Sequence, residues 1–101
     1  MSESHYATGR RKTAVARVWL TPGKGKVVVN RKFTIDEYFG GADDYNKKIE
    51  KPLVLTETNG KFDVMATVKG GGKNAQAEAL RHGISRALLG VDADNRLSLK
   101  K

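Results

Sequence analysis

The sequence has no cysteine among its 101 residues, and its apolar residues nowhere form a long run. Without cysteine the chain has neither a disulfide framework nor a thiolate for catalysis. No segment approaches the roughly 18 apolar residues that a membrane-spanning helix needs. Residues 1–5 also lack the apolar region of a secretory signal peptide. We therefore expect a cytoplasmic protein with no segment that spans a membrane.

The chain has few residues that are suited to catalysis or metal binding. His5 and His82 have no cysteine and no carboxylate at metal-ligand spacing, so no metal site is expected. Glu37, Asp43 and Asp44 are better explained as helix caps and solvated charges than as an acid–base pair. The residues therefore favour neither an enzyme nor a metal-binding protein.

Positive charge is what the chain has in excess. Nineteen Lys and Arg residues stand against eleven Asp and Glu, which gives a formal net charge of +8 and an isoelectric point near 9.9. This balance favours a polyanionic partner, nucleic acid first and an anionic membrane surface second. The length fits one domain over residues 1–101, with residues 1–12 as a basic N-terminal segment.

The first third of the chain predicts two strands. Residues 13–20 alternate between two faces, with Ala14, Ala16, Val18 and Leu20 on one side and Thr13, Val15, Arg17 and Trp19 on the other. Residues 26–30 form a second, β-branched run, and the turn residues Pro22-Gly23-Lys24-Gly25 lie between the two. We expect these strands to pair as a hairpin.

The middle of the chain predicts two short helices. Thr34 and Glu37 have the spacing of a capping box, which would start a helix that ends at Gly40. A second helix follows and is bounded by Pro52, because proline removes a helical hydrogen bond. Residues 53–56 are expected to form a short extended piece.

A further strand leads directly into the longest helix. Residues 62–68 alternate as a strand, and residues 74–89 have helical periodicity. The apolar stripe of this helix comprises Ala77, Leu80, Ile84, Ala87, Leu88 and Val91, whereas Glu78, His82, Ser85 and Arg86 lie opposite, with Arg81 on the boundary. Residues 92–101 predict a last short helix. The order predicts an α+β fold, a sheet with helices packed on one face.

Three glycines, flanked by Lys69 and Lys73, lie between that strand and that helix. Glycine allows unusual backbone conformations and close approach to a partner, and the N-terminus of the following helix attracts anions. A mononucleotide site is disfavoured, because Lys73 is followed by Asn74 where a P-loop needs Ser or Thr. Two interpretations remain, a simple connection or close contact with a nucleic-acid phosphate backbone.

A second candidate site is the cluster Arg10-Arg11-Lys12, which follows Gly9 and lies close to Tyr6. It offers salt bridges, bidentate hydrogen bonds and stacking to a nucleic acid, whereas a solvated terminus is the alternative. Basic residues elsewhere favour the nucleic acid, namely Lys69, Lys73, Arg81 and Arg86, with Lys24, Lys26, Lys100 and Lys101 widening the surface. His82 is either a surface contact or a buried, hydrogen-bonded histidine.

Charge alone does not distinguish RNA from DNA. The sequence has no helix-turn-helix, zinc-finger or basic-zipper pattern, no aromatic RNP signature and no KH-type loop. With few exposed aromatics expected, recognition would depend on backbone shape more than on base identity. A structured RNA fits this description.

Two long motifs extend through the chain. The first begins with Tyr6-Ala7-Thr8-Gly9-Arg10-Arg11-Lys12 and continues through residues 16–18, 22–25, 29–30 and 37–39. The second comprises residues 68–72, 76–77 and 81–88. In this order and with this coverage they resemble the S9 family of small-subunit ribosomal proteins, in its bacterial or organellar form.

The resemblance implies a ribosomal S5 domain-2-like fold and a structural role in the head of the small subunit. It implies binding to the 3′ major domain of small-subunit rRNA, beside other head proteins, with no cofactor and no catalytic residue. Taken with the basic residues above, the predicted RNA contacts are Tyr6, Gly9, Arg10, Arg11, Lys12, Lys69, Gly70, Gly71, Gly72, Lys73, Gln76, Arg81, His82, Arg86, Lys100 and Lys101.

The chain departs from the family pattern in two places. Ala75 stands where glycine is usual, and alanine favours a firmer helix start. Family members also continue into a very basic tail that reaches toward the P-site tRNA, whereas this sequence stops at Lys101. A tRNA contact is therefore expected only where such a tail exists. The competing hypotheses are a general nucleic-acid-binding module and a small phosphate-handling enzyme that uses residues 70–73.

Overall fold

A computed structural model describes residues 5–40, 43–56 and 60–91 of the chain. The described elements, in chain order, are β1 (His5–Arg11), β2 (Ala14–Pro22), β3 (Val27–Val29), α1 (Ile35–Phe39), α2 (Asp43–Leu55), β4 (Phe62–Lys69) and α3 (Lys73–Val91). The helix predicted over 92–101 lies outside the described residues. None of the helices within the described ranges combines the length and the apolar character needed to cross a bilayer.

The four described strands form one mixed sheet in the order β1-β2-β4-β3. The β1–β2 and β2–β4 pairs are antiparallel, and β3 lies parallel to β4. Along β2 and β4 the side chains alternate between buried and accessible positions, and the buried ones share one core with α3. The α+β class predicted from the sequence is confirmed.

The predicted hairpin between residues 13–20 and 26–30 is wrong, because β4 lies between these two strands. The carboxylate of Asp63, near the start of β4, accepts hydrogen bonds from the amides of Lys24, Gly25 and Lys26 at 3.0, 3.2 and 3.0 Å. These bonds hold the β2–β3 loop against β4. The chain therefore crosses β4 before β3 begins, and β3 pairs on the far side in a parallel direction.

The hairpin that does form joins β1 to β2. Its turn lies at residues 12–13, where Lys12 has a left-handed φ of 55°. The sequence predicts no regular structure for residues 5–11, because this segment lacks apolar alternation. Its pairing with β2 from His5 to Arg11 makes it the edge strand of the sheet.

The short helix α1 has the predicted termini. The Glu37 amide donates to Thr34 Oγ1 at 3.2 Å, and the Thr34 amide donates to Glu37 Oε1 at 2.9 Å, which completes the capping box. Gly40 ends the helix in a left-handed conformation with φ of 80°. The capping box and the terminal glycine each depend on residues that are close together in the sequence. The sequence alone was therefore sufficient to predict both ends of α1.

The boundary predicted at Pro52 is wrong, since α2 passes through this proline and ends at Leu55. Residues 53–55 are therefore helical instead of extended. Burial explains why the helix continues, because Ile49 and Leu53 on either side of the proline are 0% and 6% exposed. Anchoring these two side chains in the core offsets the cost of about 3 kcal/mol that an internal proline imposes.

The predicted core stripe of α3 is confirmed. Ala77, Leu80, Ile84, Ala87 and Leu88 are buried, and Val91 packs partly buried against them. Two positions not assigned to the stripe, Ala79 and Gly83, are also buried. They are covered because α3 lies directly on β1 and β2.

Candidate nucleic-acid interface

The β1–β2 turn and the β4–α3 loop are packed against each other at one end of the sheet. Gly70 has a left-handed φ of 80°, and a Cβ atom there would overlap the carbonyl oxygen of Thr13. At Gly71, with φ of 61°, a Cβ would lie 3.1 Å from Ala14 Cβ. The fold therefore requires these two glycines, both for conformation and for the close contact with the turn.

Gly72 differs from its two neighbours. Its φ is outside the left-handed range, and an added Cβ would meet no described heavy atom within 4 Å. Neither backbone conformation nor internal packing accounts for glycine at this exposed position. The loop is therefore open to a close approach from outside at Gly72.

Exposed cations surround this contact between turn and loop. Arg10, Arg11 and Lys12 are exposed on the turn side, and Lys69 is exposed on the loop side. We call residues 10–12 and 69–72 together the basic end of the sheet. Two stretches that are far apart in the sequence thus place exposed cations at one end of the sheet.

Lys73 and Gln76 fasten the glycine loop to the body of the protein. The Lys73 ammonium donates to the Tyr38 carbonyl and lies 4.2 Å from the centroid of the Tyr38 ring. Gln76 Nε2 donates to Gly70 O at 3.0 Å, and its Oε1 accepts from the Tyr38 hydroxyl at 2.8 Å. The ammonium group of Lys73 is therefore directed toward α1.

Gly9 is buried where α3 crosses β1. A Cβ at Gly9 would overlap the carbonyl oxygen of Ala79 and the amide nitrogen of Gly83, which are backbone atoms of the helix. At Gly83 a Cβ would lie 2.6 Å from Val18 Cγ2 and 3.2 Å from the Gly9 nitrogen. Gly9 is among the predicted RNA contacts. Its burial and the close approach to Gly83 show that packing alone accounts for glycine at this position.

Two basic side chains of α3 bind the backbone of β1. Arg86 Nη1 donates to Thr8 O at 3.4 Å, and His82 Nδ1 lies 3.2 Å from Arg10 O. His82 Nε2 lies 3.5 Å from Arg81 Nη2. The tautomer with its proton on Nδ1 satisfies both contacts, because the carbonyl accepts and the guanidinium donates. These residues attach α3 to the edge strand just before the basic end.

Arg81 faces α2 instead of the basic end. Its Nη2 lies 3.0 Å from Glu78, and Lys48 on α2 lies 3.0 Å from the same carboxylate. The hydrogen bond from Lys48, followed by that from Arg81, lowers the pKa of Glu78 to about 2. The charge of Arg81 is thus shared with an ion-pair cluster that joins α2 to α3. Lys100 and Lys101 lie outside the described residues.

With this geometry in place, comparison with known proteins decides the family. Residues 9–101 match the family described as Ribosomal protein S9/S16. The Small ribosomal subunit protein uS9 of Desulfotalea psychrophila is 57% identical over 101 residues, which is 100% of this chain and 76% of the relative. The chain belongs to the ribosomal protein S9 family. Because this family is structural and not enzymatic, the prediction that the chain is not an enzyme is confirmed.

In this S9-family chain the face of the sheet opposite α3 extends the predicted contact set. It joins Arg10 and Lys69, which the sequence predicted as contacts, to Arg17, which it did not. The face carries a groove of about 750 Å³ whose lining includes Arg10, Val15, Arg17 and Lys69. The alternation of residues 13–20 predicted Arg17 and Trp19 on one face of the strand, without deciding which face is buried. That signal was present in the sequence, but only the pairing of β2 with β1 and β4 shows which residues lie beside them.

Proposed function

We propose that this chain binds the 3′ major domain of small-subunit rRNA in the head of the subunit, beside neighbouring head proteins in the cytoplasm. Membership of the ribosomal protein S9 family supports the structural role in the small subunit. The name of its 57%-identical relative, a small ribosomal subunit protein, supports the same assignment. The binding surface is the basic end of the sheet.

The observation that carries this proposal is the contact of Gly70 with Thr13. It unites the exposed cations of residues 10–12 with Lys69 on one surface. Several cations on a shared surface neutralise several phosphates and release their counterions, so the affinity should fall steeply with added salt. Arg11 belongs to β1, and Arg86 of α3 donates to Thr8 O on the same strand, which supports cations along this edge of the sheet.

Gly72 supports the same surface independently. A glycine that neither conformation nor packing requires is what close contact with a ribose-phosphate backbone would need. The α3 amides behind it add the positive end of a helix dipole.

A charge-reversal experiment tests the proposal. Arg10→Glu combined with Arg11→Glu should weaken binding to an rRNA transcript of the 3′ major domain. The slope of log affinity against log salt concentration should fall by roughly 1.4–1.8, because two phosphate contacts are lost. Nitrocellulose filter binding at several salt concentrations measures both quantities.

The matched control reverses two cations outside the predicted contact set, Lys51→Glu with Lys61→Glu; both side chains are exposed. It changes the net charge equally and should leave most of the affinity. Equal losses in both double variants would mean that binding depends on net charge alone and would refute the basic end as the binding surface.

Competition distinguishes the remaining hypotheses. Equal affinity for random duplex DNA and for the rRNA transcript would favour a general nucleic-acid-binding module. Saturable binding of a nucleotide that survives high salt would favour a phosphate-handling site at residues 70–73, since ribosomal RNA binding through phosphates weakens with salt.

A further inference from the structure

The face of the sheet opposite α3 carries a row of apolar side chains that crosses all four described strands. The register pairs Tyr6 with Trp19, Trp19 with Met65, and Met65 with Val28. Residues paired directly across a sheet project from the same face. We call Tyr6, Trp19, Met65 and Val28 the apolar row.

Two members of the apolar row are exposed, and the other two, Trp19 and Val28, are half-buried. Tyr6 is 52% exposed and Met65 is 53% exposed, and the described residues have only one other large exposed hydrophobic side chain, Val54 on α2. The rings of Tyr6 and Trp19 lie 5.1 Å apart at their centroids, tilted by 44°. Single exposed apolar residues are ordinary on a protein surface, but a contiguous row of them marks a contact site.

Cations adjoin the apolar row. Arg31, whose backbone is left-handed with φ of 71°, lines a groove of about 320 Å³ together with Trp19, Thr21, Met65 and Thr67. Arg17 lies on the same face in the next row, where it pairs with Thr67. Aromatic and thioether groups beside guanidinium groups match a nucleotide, which has a flat base and an anionic phosphate.

The charge of this face identifies its occupant. Arg10, Arg17 and Lys69 line the larger groove, and Arg31 lines the smaller one. The carboxylate of Asp63, on the same face of β4, already accepts three backbone hydrogen bonds from the β2–β3 loop. An anionic partner fits this balance better than a neutral or basic protein surface does.

We propose that the apolar row stacks an unpaired base of the rRNA while Arg17 and Arg31 bind the adjoining phosphates. This inference rests on the proposed function and extends it from the basic end to the open face of the sheet. Stacking on an aromatic ring requires a splayed-out base, because paired bases in a duplex do not present a free face. Recognition then includes single-stranded RNA and is not confined to the shape of the backbone.

Trp19 is the only tryptophan of the chain, so its emission reports directly on this row. Titration with the 3′ major domain transcript should quench Trp19 fluorescence with the same midpoint as filter binding. Saturated filter binding without any change in emission would overturn the stacking proposal and leave the proposed function intact. Absence of filter binding would instead refute the proposed function.

Substitutions separate stacking from phosphate binding. Tyr6→Ala or Met65→Ala should each weaken transcript binding by about tenfold or more, without changing the salt slope that Arg10→Glu with Arg11→Glu reduces. Val54→Ala is the matched control, because Val54 is 56% exposed but lies on α2. Circular dichroism of each variant checks that the fold is retained.

Two outcomes would contradict the proposal at this step. Wild-type affinity in folded Tyr6→Ala and Met65→Ala would exclude a stacked base. If those variants bind the transcript normally but fail to enter reconstituted small subunits, a neighbouring protein occupies the face, and the assignment to RNA is wrong.

Discussion

At the scale of single residues, neighbouring glycines of one loop have different reasons for being glycine. Gly70 has a left-handed backbone and no room for a Cβ beside Thr13. Gly72 has neither restriction. The sequence alone offered two interpretations of this run, a connection and a phosphate contact. In the structure Gly70 is needed for the connection between strand and helix, whereas a phosphate contact remains the interpretation for Gly72.

Alanine substitutions should distinguish these roles. Gly70→Ala should lower the free energy of unfolding by about 2 kcal/mol or more, because an L-residue is strained there and clashes with backbone. Gly72→Ala should leave stability within about 1 kcal/mol of wild type but weaken binding to the rRNA transcript. Urea unfolding and filter binding measure the two effects.

The control for Gly72→Ala is Gly90→Ala, since Gly90 also has no described atom within 4 Å of an added Cβ. It should increase stability by up to about 1 kcal/mol through helix propensity and leave RNA affinity unchanged. Normal RNA binding by Gly72→Ala would count against close backbone contact at the loop.

Glu78 makes part of the stability dependent on pH. Hydrogen bonds from Lys48 and then Arg81 lower its pKa from 4.5 to about 2. A depressed pKa stabilises the folded state above pH 4.5, and this contribution is lost as the pH falls through 2. After allowance for the partly exposed partners, we expect about 1–2 kcal/mol at neutral pH.

Glu78→Gln tests this expectation. Its deficit in unfolding free energy relative to wild type should be present at pH 7 and should largely disappear near the folded pKa of about 2. Urea unfolding at a series of pH values measures the difference between the two proteins. A deficit that is the same at both extremes would show that packing, not the carboxylate charge, is responsible.

At the scale of elements, the position of α3 on the sheet depends on two glycines that meet at the crossing with β1. Gly9 and Gly83 bring helix and strand backbones closer than side chains would permit. This approach lets His82 and Arg86 reach the carbonyls of Arg10 and Thr8. The crossing therefore positions His82 and Arg86 against β1 and also packs the core.

Gly9→Ala should therefore be strongly destabilising. Its Cβ would overlap helix backbone atoms that cannot rotate away, so α3 must shift, at a cost of about 3 kcal/mol. Chemical denaturation should show this loss, and amide exchange should accelerate in β1 and α3. An unchanged midpoint would contradict the crossing geometry.

At the scale of the whole molecule, the core and the charged surface are separate. The largest fully buried side chains, which include Leu20, Ile49 and Ile84, come from the sheet, α2 and α3. The cations of the basic end are exposed. Folding and RNA binding should consequently respond to different substitutions.

Ile84→Asp should unfold the protein, because Ile84 is 0% exposed and an unpaired carboxylate would be buried there. Arg10→Glu with Arg11→Glu should retain the far-ultraviolet circular dichroism and thermal transition of the wild type while losing RNA affinity. A folded Ile84→Asp variant, or an unfolded double variant, would contradict the separation of core and binding surface.

The sequence by itself determined the elements that depend on local chemistry. The alternation of residues 62–68, the apolar stripe of α3 and the capping box of Thr34 and Glu37 all appear as predicted. Each depends on contacts within one element or on one face, so periodicity and short-range hydrogen bonds suffice to predict it. The excess of cations and the family motifs could likewise be identified from the sequence alone.

Only the tertiary structure decided how those elements combine. The insertion of β4 between β2 and β3 pairs strands that are far apart in the sequence, and Asp63 fastens the loop that crosses β4. The strand at residues 5–11 forms because β2 and α3 cover it, and α2 passes through Pro52 because its flanking side chains are buried. Strand order, the crossing at Gly9 and the apolar row result from long-range contacts, which residue-to-residue patterns along the chain do not encode.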